Sequence, residues 1–155
     1  KVYFVPANGQ EKAEALAEKT KAAYLATGFQ EKLEKDDLTA LKIHFGEVNN
    51  TGYIKPQWLA GLIWEVRQKT SRAFLTDSNT LYVGNRSNSV GHIRLAWSHG
   101  FAPPVVDLPV IIADGLIGHD KYEARSAAAR TTASCCCTWA LSEPLAGEAL
   151  GGRPA

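Results

Sequence analysis

Two apolar runs in the middle of the chain each stop at a titratable residue and open into a polar loop. The first is Leu41-Lys42-Ile43-His44-Phe45-Gly46-Glu47, continuing to Thr51-Gly52-Tyr53-Ile54-Lys55-Pro56. The second is Phe74-Leu75-Thr76-Asp77, followed by Ser78-Asn79-Thr80-Leu81-Tyr82-Val83-Gly84. Histidine as a residue type can change charge within the physiological range, so His44 could serve as a base, an anion-binding cation or a metal ligand. Its structural alternative is a bond to backbone at the end of a strand. Asp77 could orient His44, ligate a metal, or accept hydrogen bonds from a sugar or an amine. Its structural alternative is to cap the turn that follows it. These two residues are the candidates for catalysis and for metal binding alike.

The flanking residues extend the candidate site. The loop of residues 46–52 leads to Pro56, which suits the first turn of a helix, so loop amides and the helix dipole could hold an anion. The spacing matches neither the phosphate loop nor the dinucleotide fingerprint. Arg86, between Asn85 and Ser87 at a helix start, could reach a ligand with its guanidinium. Lys55 reads by default as a solvated surface cation. The candidate ligand-binding set is Gly46, Glu47, Asn79, Thr80, Tyr82, Arg86, Asn88, His92 and Asp114. His92 and His99 lie two turns apart on one expected helix, too far for an adjacent-turn metal pair. His99 is placed to support the helix end, and His119 abuts an anomalous tail.

Elements that would position these residues alternate along the chain. Residues 2–5 read as a short strand ended by Pro6. Asn8 and Glu11 resemble a capping box that opens a helix ending at Thr27, with Gly28 as its stop. Residues 39–45 form a second strand, with Leu41, Ile43 and Phe45 on one face and Lys42 and His44 on the other. A helix runs from Pro56 to Lys69, and residues 73–76 form a third strand. Ser87 can cap a further helix whose Val90, Ile93 and Trp97 share one face. Residues 105–106 suggest an edge strand, and Val110-Ile111-Ile112-Ala113 a fully buried one. Strand–helix alternation implies right-handed crossovers. The expected fold class is α/β: a mostly parallel, open, Rossmann-like sheet with helices on both faces. In such sheets ligands bind at the carboxyl ends of the strands, where His44, Asp77 and Asp114 would converge.

The 155 residues suffice for one domain with a core, and a net charge of +1 offers no reason to expect nucleic acid or an anionic membrane as partner. No apolar run approaches the length that spans a bilayer, and a cytoplasmic location is expected. The chain contains no Met and opens directly on strand-like residues, which reads as a fragment or a trimmed start.

The two parts of the chain differ in composition. Residues 1–120 hold 16 Val and Ile, whereas residues 121–155 hold none, so the tail lacks the apolar surface needed to order it. The domain is therefore expected over residues 1–120. The tail is expected to be disordered, or the product of a frameshift, since its enriched residue types mostly have GC-rich codons. All three cysteines lie there, adjacent at Cys135, Cys136 and Cys137, a spacing unlike zinc or redox motifs.

The first 120 residues resemble a bacterial and archaeal family known as domain of unknown function 362. The resemblance rests on Lys42-Ile43-His44-Phe45-Gly46-Glu47, Asn50-Thr51-Gly52-Tyr53-Ile54-Lys55-Pro56, Leu75-Thr76-Asp77-Ser78-Asn79-Thr80-Leu81-Tyr82-Val83-Gly84 with Arg86-Ser87-Asn88 and His92, and Pro109-Val110-Ile111-Ile112-Ala113-Asp114-Gly115. It implies association with iron–sulfur proteins, because family members commonly continue into a segment that binds [4Fe–4S] clusters through Cys-x-x-Cys spacing. No such segment stands in this sequence, so no cofactor is expected in this chain itself. The family also continues with a Leu-Ser-His segment, where this chain has Leu141-Ser142-Glu143.

Four functions are compatible with these residues. The leading one is a ligand- or metal-binding α/β domain of a redox-linked, iron–sulfur-associated protein, taking a small anion or a metal and an iron–sulfur domain or protein as partner. The others are an enzyme using His44 as general acid or base with Asp77 orienting it, a structural or partner-binding module, and a non-functional truncated fragment.

Overall fold

The structure, a computed structural model, describes residues 1–120 and the backbone of residues 122–125 and 132–135. Its first helix, α1 (Ala13–Thr27), is built from strong helix formers and stops at Gly28, whose φ of 72° supplies the left-handed turn. Asn8 and Glu11 do bond each other, Asn8 N donating to Glu11 Oε1 at 2.7 Å. They close a separate turn ahead of the helix, however, and Lys12 occupies the N-cap.

Three strands follow: β1 (Thr39–Lys42), β2 (Ala73–Asp77) and β3 (Val110–Ile112). They form one parallel sheet in the order β1-β2-β3, which is the α/β architecture expected. Between β1 and β2 a 3-10 turn (Pro56–Leu59) leads into α2 (Ala60–Lys69). Between β2 and β3 lies α3 (Ser89–Ser98).

Partners in a parallel register point to the same side of a sheet. Leu41, Leu75 and Val110 therefore share a face, with Ala73, Asp77 and Ile112 alternating onto it. The apolar core joins Ala73, Leu75 and Ile112 to Ile63 and Val66 of α2, Ala96 of α3, and Phe45, Phe101 and Val106 from loops. Burial of each large side chain there contributes about 1.5–3 kcal/mol. Helices were expected on both faces; among the described residues the helical cover lies on this one. Two right-handed crossovers stepping in the same direction give that result.

Several local expectations change. Residues 2–5 form no strand, and Val2 and Phe4 are exposed. The second strand ends at Lys42, with one further ladder bond from Ile43 N to Thr76 O at 3.0 Å. Residues 105–106 lie in a loop, where Val106 is buried. The cap of α3 is Asn88, whose Oδ1 accepts from Gly91 N at 2.9 Å, and Ser87 is outside the helix. The buried face of α3 is Ser89, His92, Leu95 and Ala96, while Val90 and Trp97 are each 56% exposed. Within the stretch expected to lack order, β4 (Tyr122–Arg125) and β5 (Thr132–Cys135) pair antiparallel. The rest of that tail lies outside the described residues.

Candidate functional site

Parallel strands deliver their carboxyl ends to one edge, and there the polar residues gather. Asp77, the last residue of β2, is 4% exposed. Its Oδ1 accepts from Lys42 Nζ and from Ser78 N, both at 2.9 Å, and its Oδ2 accepts from Arg86 Nη1 at 3.3 Å. Arg86 is itself buried at 6% exposure. Its Nε donates to Glu47 Oε1 at 2.8 Å, and its Nη2 donates both to Glu47 Oε1 and to the Tyr82 hydroxyl. Tyr82 in turn donates to Glu47. One guanidinium thus ties the loop after β1 to the end of β2 and to the loop of residues 80–86.

A second cluster closes the β3 side. Asp114, also buried, accepts from Asn79 N at 2.9 Å and from Asn79 Nδ2 at 3.1 Å. Asn79 Nδ2 also donates to Gly115 O at 2.9 Å, and Ser89 Oγ donates to the same carbonyl at 2.5 Å. Thr80 N donates to Arg86 O at 2.8 Å, folding the intervening loop back on itself.

The charges follow from these contacts. Burial works against ionisation of Asp77. The nearby His92 ring, the Lys42 ammonium and the Ser78 amide outweigh it and hold the carboxyl down at about 2, from an ordinary 3.8. Bonds from Arg86, then Tyr82, hold Glu47 below the usual carboxylate range. Burial opposes the charge on Arg86, but Glu47 and Tyr82 overcome it and raise its pKa. Because Asp77 titrates lower folded than unfolded, its stabilisation is present above pH 3.8 and is lost as pH falls through about 2. That contribution is about 2 kcal/mol. In denaturant titrations, Asp77→Asn should be less stable than the parent near neutrality, with the gap closing between about pH 4 and pH 2. A gap independent of pH would assign the loss to something other than this charge.

His44 stands apart from this cluster. It is exposed, and its Nδ1 accepts the Gly46 amide at 3.1 Å. No hydrogen bond joins it to Asp77, so Asp77 does not orient it. The imidazole beside Asp77 belongs to His92, which is fully buried with Nε2 3.6 Å from Asp77 Oδ2. That distance is too long for a hydrogen bond, and among the described residues neither ring nitrogen has a bonding partner. His99 is the C-cap of α3, where its backbone N donates to Leu95 O, whereas its ring turns away from the helix end: Nδ1 donates to Phe45 O at 2.8 Å and the ring stacks on Tyr53. Lys55 lies over the Tyr53 ring and donates to Thr51 O at 2.8 Å. Among the described residues no three His, Cys, Asp or Glu side chains are grouped to hold a metal. Asp77, already facing Lys42 and Arg86, is poorly suited to a cation.

Open space lies beside the Glu47–Arg86 link rather than within it. A cleft of about 550 Å³ is lined by Val48, Asn49, Asn85, Gly91, Arg94, Leu95, Ser98 and His99. Asn49 adopts a left-handed φ of 62°, and Gly46 a φ of 93°, which together fold this loop against α3. None of the residues expected to bind ligand lines the cleft, although Val48 and Asn85 adjoin Glu47 and Arg86 in the chain. The sequence signal for it was weak: Asn in both loops, and a lone Arg on the solvent side of a helix.

The fold is thus a parallel α/β sheet with its polar groups collected at the carboxyl edge. The chain belongs to the family described as Domain of unknown function (DUF362), whose model matches residues 39–143. The match begins at the first residue of β1, so it leaves out α1 and takes in part of the tail, unlike the span of residues 1–120 expected. No curated protein and no solved structure gives a match to the chain. No helix of the described residues is long and apolar enough to cross a membrane.

Proposed function

We propose that this chain is a ligand-binding α/β domain that takes a small oxyanion, a phosphate or a carboxylate, in the cleft between the loop of residues 46–52 and α3. The observation that carries this reading is Arg94. It lines the cleft with Asn49, Asn85, Ser98 and His99, no Asp or Glu shares the lining, and none of the described hydrogen bonds or ion pairs engages its guanidinium. An unengaged guanidinium offers five donors in a planar fork that matches phosphate and carboxylate. The neighbouring Asp77–Arg86–Glu47 cluster is internally bonded, so its role here is to hold the two loops that wall the cleft.

The resemblance to iron–sulfur-associated proteins enters only as a partner. A [4Fe–4S] cluster needs four cysteine thiolates. The chain has three in total, consecutive in sequence, and residues 1–120 have none. These residues do not fit a cluster, so an iron–sulfur cluster would come from a partner domain or protein.

Titration with inorganic phosphate, followed by NMR of the His99 ring and by calorimetry, tests the reading. Binding should weaken at least tenfold in Arg94→Gln, equivalent to about 1.4 kcal/mol. His99 resonances that do not move with phosphate, or that move equally in the variant, would remove it.

A further inference from the structure

The outer edge of the sheet is open along β1. In its ladder with β2, Thr39 and Ile43 turn their amides inward, to Arg72 O and Thr76 O. The alternate residues Ala40 and Lys42 then point their amides and carbonyls outward, and none of the described hydrogen bonds engages them. Beside this edge runs a groove of about 320 Å³, lined by the whole of β1 together with Tyr24, Phe29, Leu33, Leu38, Leu62 and Val66. It is largely apolar, yet the Tyr24 hydroxyl and Thr39 Oγ1 are buried without a bonding partner among the described residues. An exposed strand edge flanked by an apolar groove is a template for adding a further strand.

The same chain carries a segment of matching character. Val2, Tyr3, Phe4 and Val5 are consecutive β-favouring residues, and Val2 and Phe4 are 95% and 84% exposed. Four residues equal the length of β1. Pro6 bounds the segment on its carboxyl side, where a parallel strand would end. The connection onward is already oriented: Lys19 Nζ of α1 donates to Pro6 O at 2.6 Å. Moreover, α1 packs against α2 on the helical side of the sheet. A strand at the outer edge of β1, leading through α1 into β1, would complete a right-handed crossover with its helix on that same side.

We propose that residues 2–5 of this chain dock in cis as a fourth parallel strand on the outer edge of β1, filling the groove. Alternate side chains of a strand share a face, so two of the four apolar side chains enter the groove and the backbone bonds Ala40 and Lys42. Docking also immobilises Lys42, whose ammonium contacts Asp77. Residues 1–38 fall outside the family match, so this device belongs to the chain's own amino-terminal part and is independent of the cleft.

Hydrogen exchange on the full chain tests it. The amides of Ala40 and Lys42 should be protected, and protection should fall at least about tenfold in Val2→Asp/Phe4→Asp. A variant lacking residues 1–6 should behave the same way, and should recover protection when a peptide of those six residues is added. Near-UV circular dichroism confirms that both variants keep the core, which touches neither Val2 nor Phe4. Free exchange of Ala40 and Lys42 in the parent, or protection unchanged in both variants, overturns the proposal. So does protection that grows with protein concentration alongside a dimer seen by light scattering, since the occupant would then be a second copy.

Discussion

Replacing Arg86 by Met should lower the unfolding free energy by about 3 kcal/mol, with a fall in melting temperature on the order of 10 °C. The size follows from what the guanidinium leaves behind. Glu47 would lose every bond from Arg86, and Asp77 would keep Lys42 and Ser78 but lose a charge-bearing neighbour in a site only 4% exposed. Breaking a buried ion pair by removing one partner costs more than the pair contributes, because the remaining charge stays buried. The loss should be smaller when Glu47→Gln and Asp77→Asn accompany Arg86→Met than the sum of the separate losses. Equilibrium denaturation of the single and combined variants measures this. Strict additivity would show that the three side chains do not act as one unit.

Gly46→Val should cost about 3 kcal/mol as well, for two reasons that add. Gly46 has a φ of 93°, a conformation that costs a β-branched residue roughly 1–3 kcal/mol. A Cβ at this position would also lie 2.8 Å from His99 Nδ1 and 2.8 Å from Tyr53 Cδ1. Relief requires moving the stacked Tyr53–His99 pair, and with it the bond from His99 to Phe45 O. The cleft wall moves too, so phosphate binding should weaken alongside stability. Thermal melts and phosphate titration of this variant read both effects. A Gly46→Val protein with parental stability and binding would show that the loop tolerates the displacement without consequence.

Much of the scaffold was legible in the residues. The β2 and β3 runs are short, apolar and bounded by turns, and Gly28 marks the end of α1 where its conformational freedom is needed. Convergence of strand ends at Asp77 and Asp114 followed from parallel topology alone. The errors share a physical cause, which is that polar residues can be buried once they are bonded. On α3 the apolar stripe Val90, Ile93 and Trp97 suggested the inner face. Ser89 and His92 turn inward instead, where Ser89 bonds Gly115 O and His92 lies beside Asp77. Arg86 was expected to reach outward to a ligand, but three oxygen-bearing side chains hold it inside. His44, the leading candidate, shares the strand parity of Lys42, and that parity already faced it away from the core. Residues 2–5 show the reverse case, an apolar segment that the described structure leaves in water.

The polar clusters also bear on the order in which the molecule can assemble. Glu47 and Arg86 are 39 residues apart, and Asn79 and Asp114 are 35 apart. Closing loops of that length costs entropy before any bond offsets it, and both strand pairings of the sheet carry the same delay. Until Arg86 reaches its place, Lys42 alone offsets Asp77, and Glu47 lacks the cation that holds it. Joining β1 to β2 therefore completes only part of the edge. Assembly of the edge and completion of the site become a single late event, in which the cation that neutralises the edge is also the one that builds the wall of the cleft.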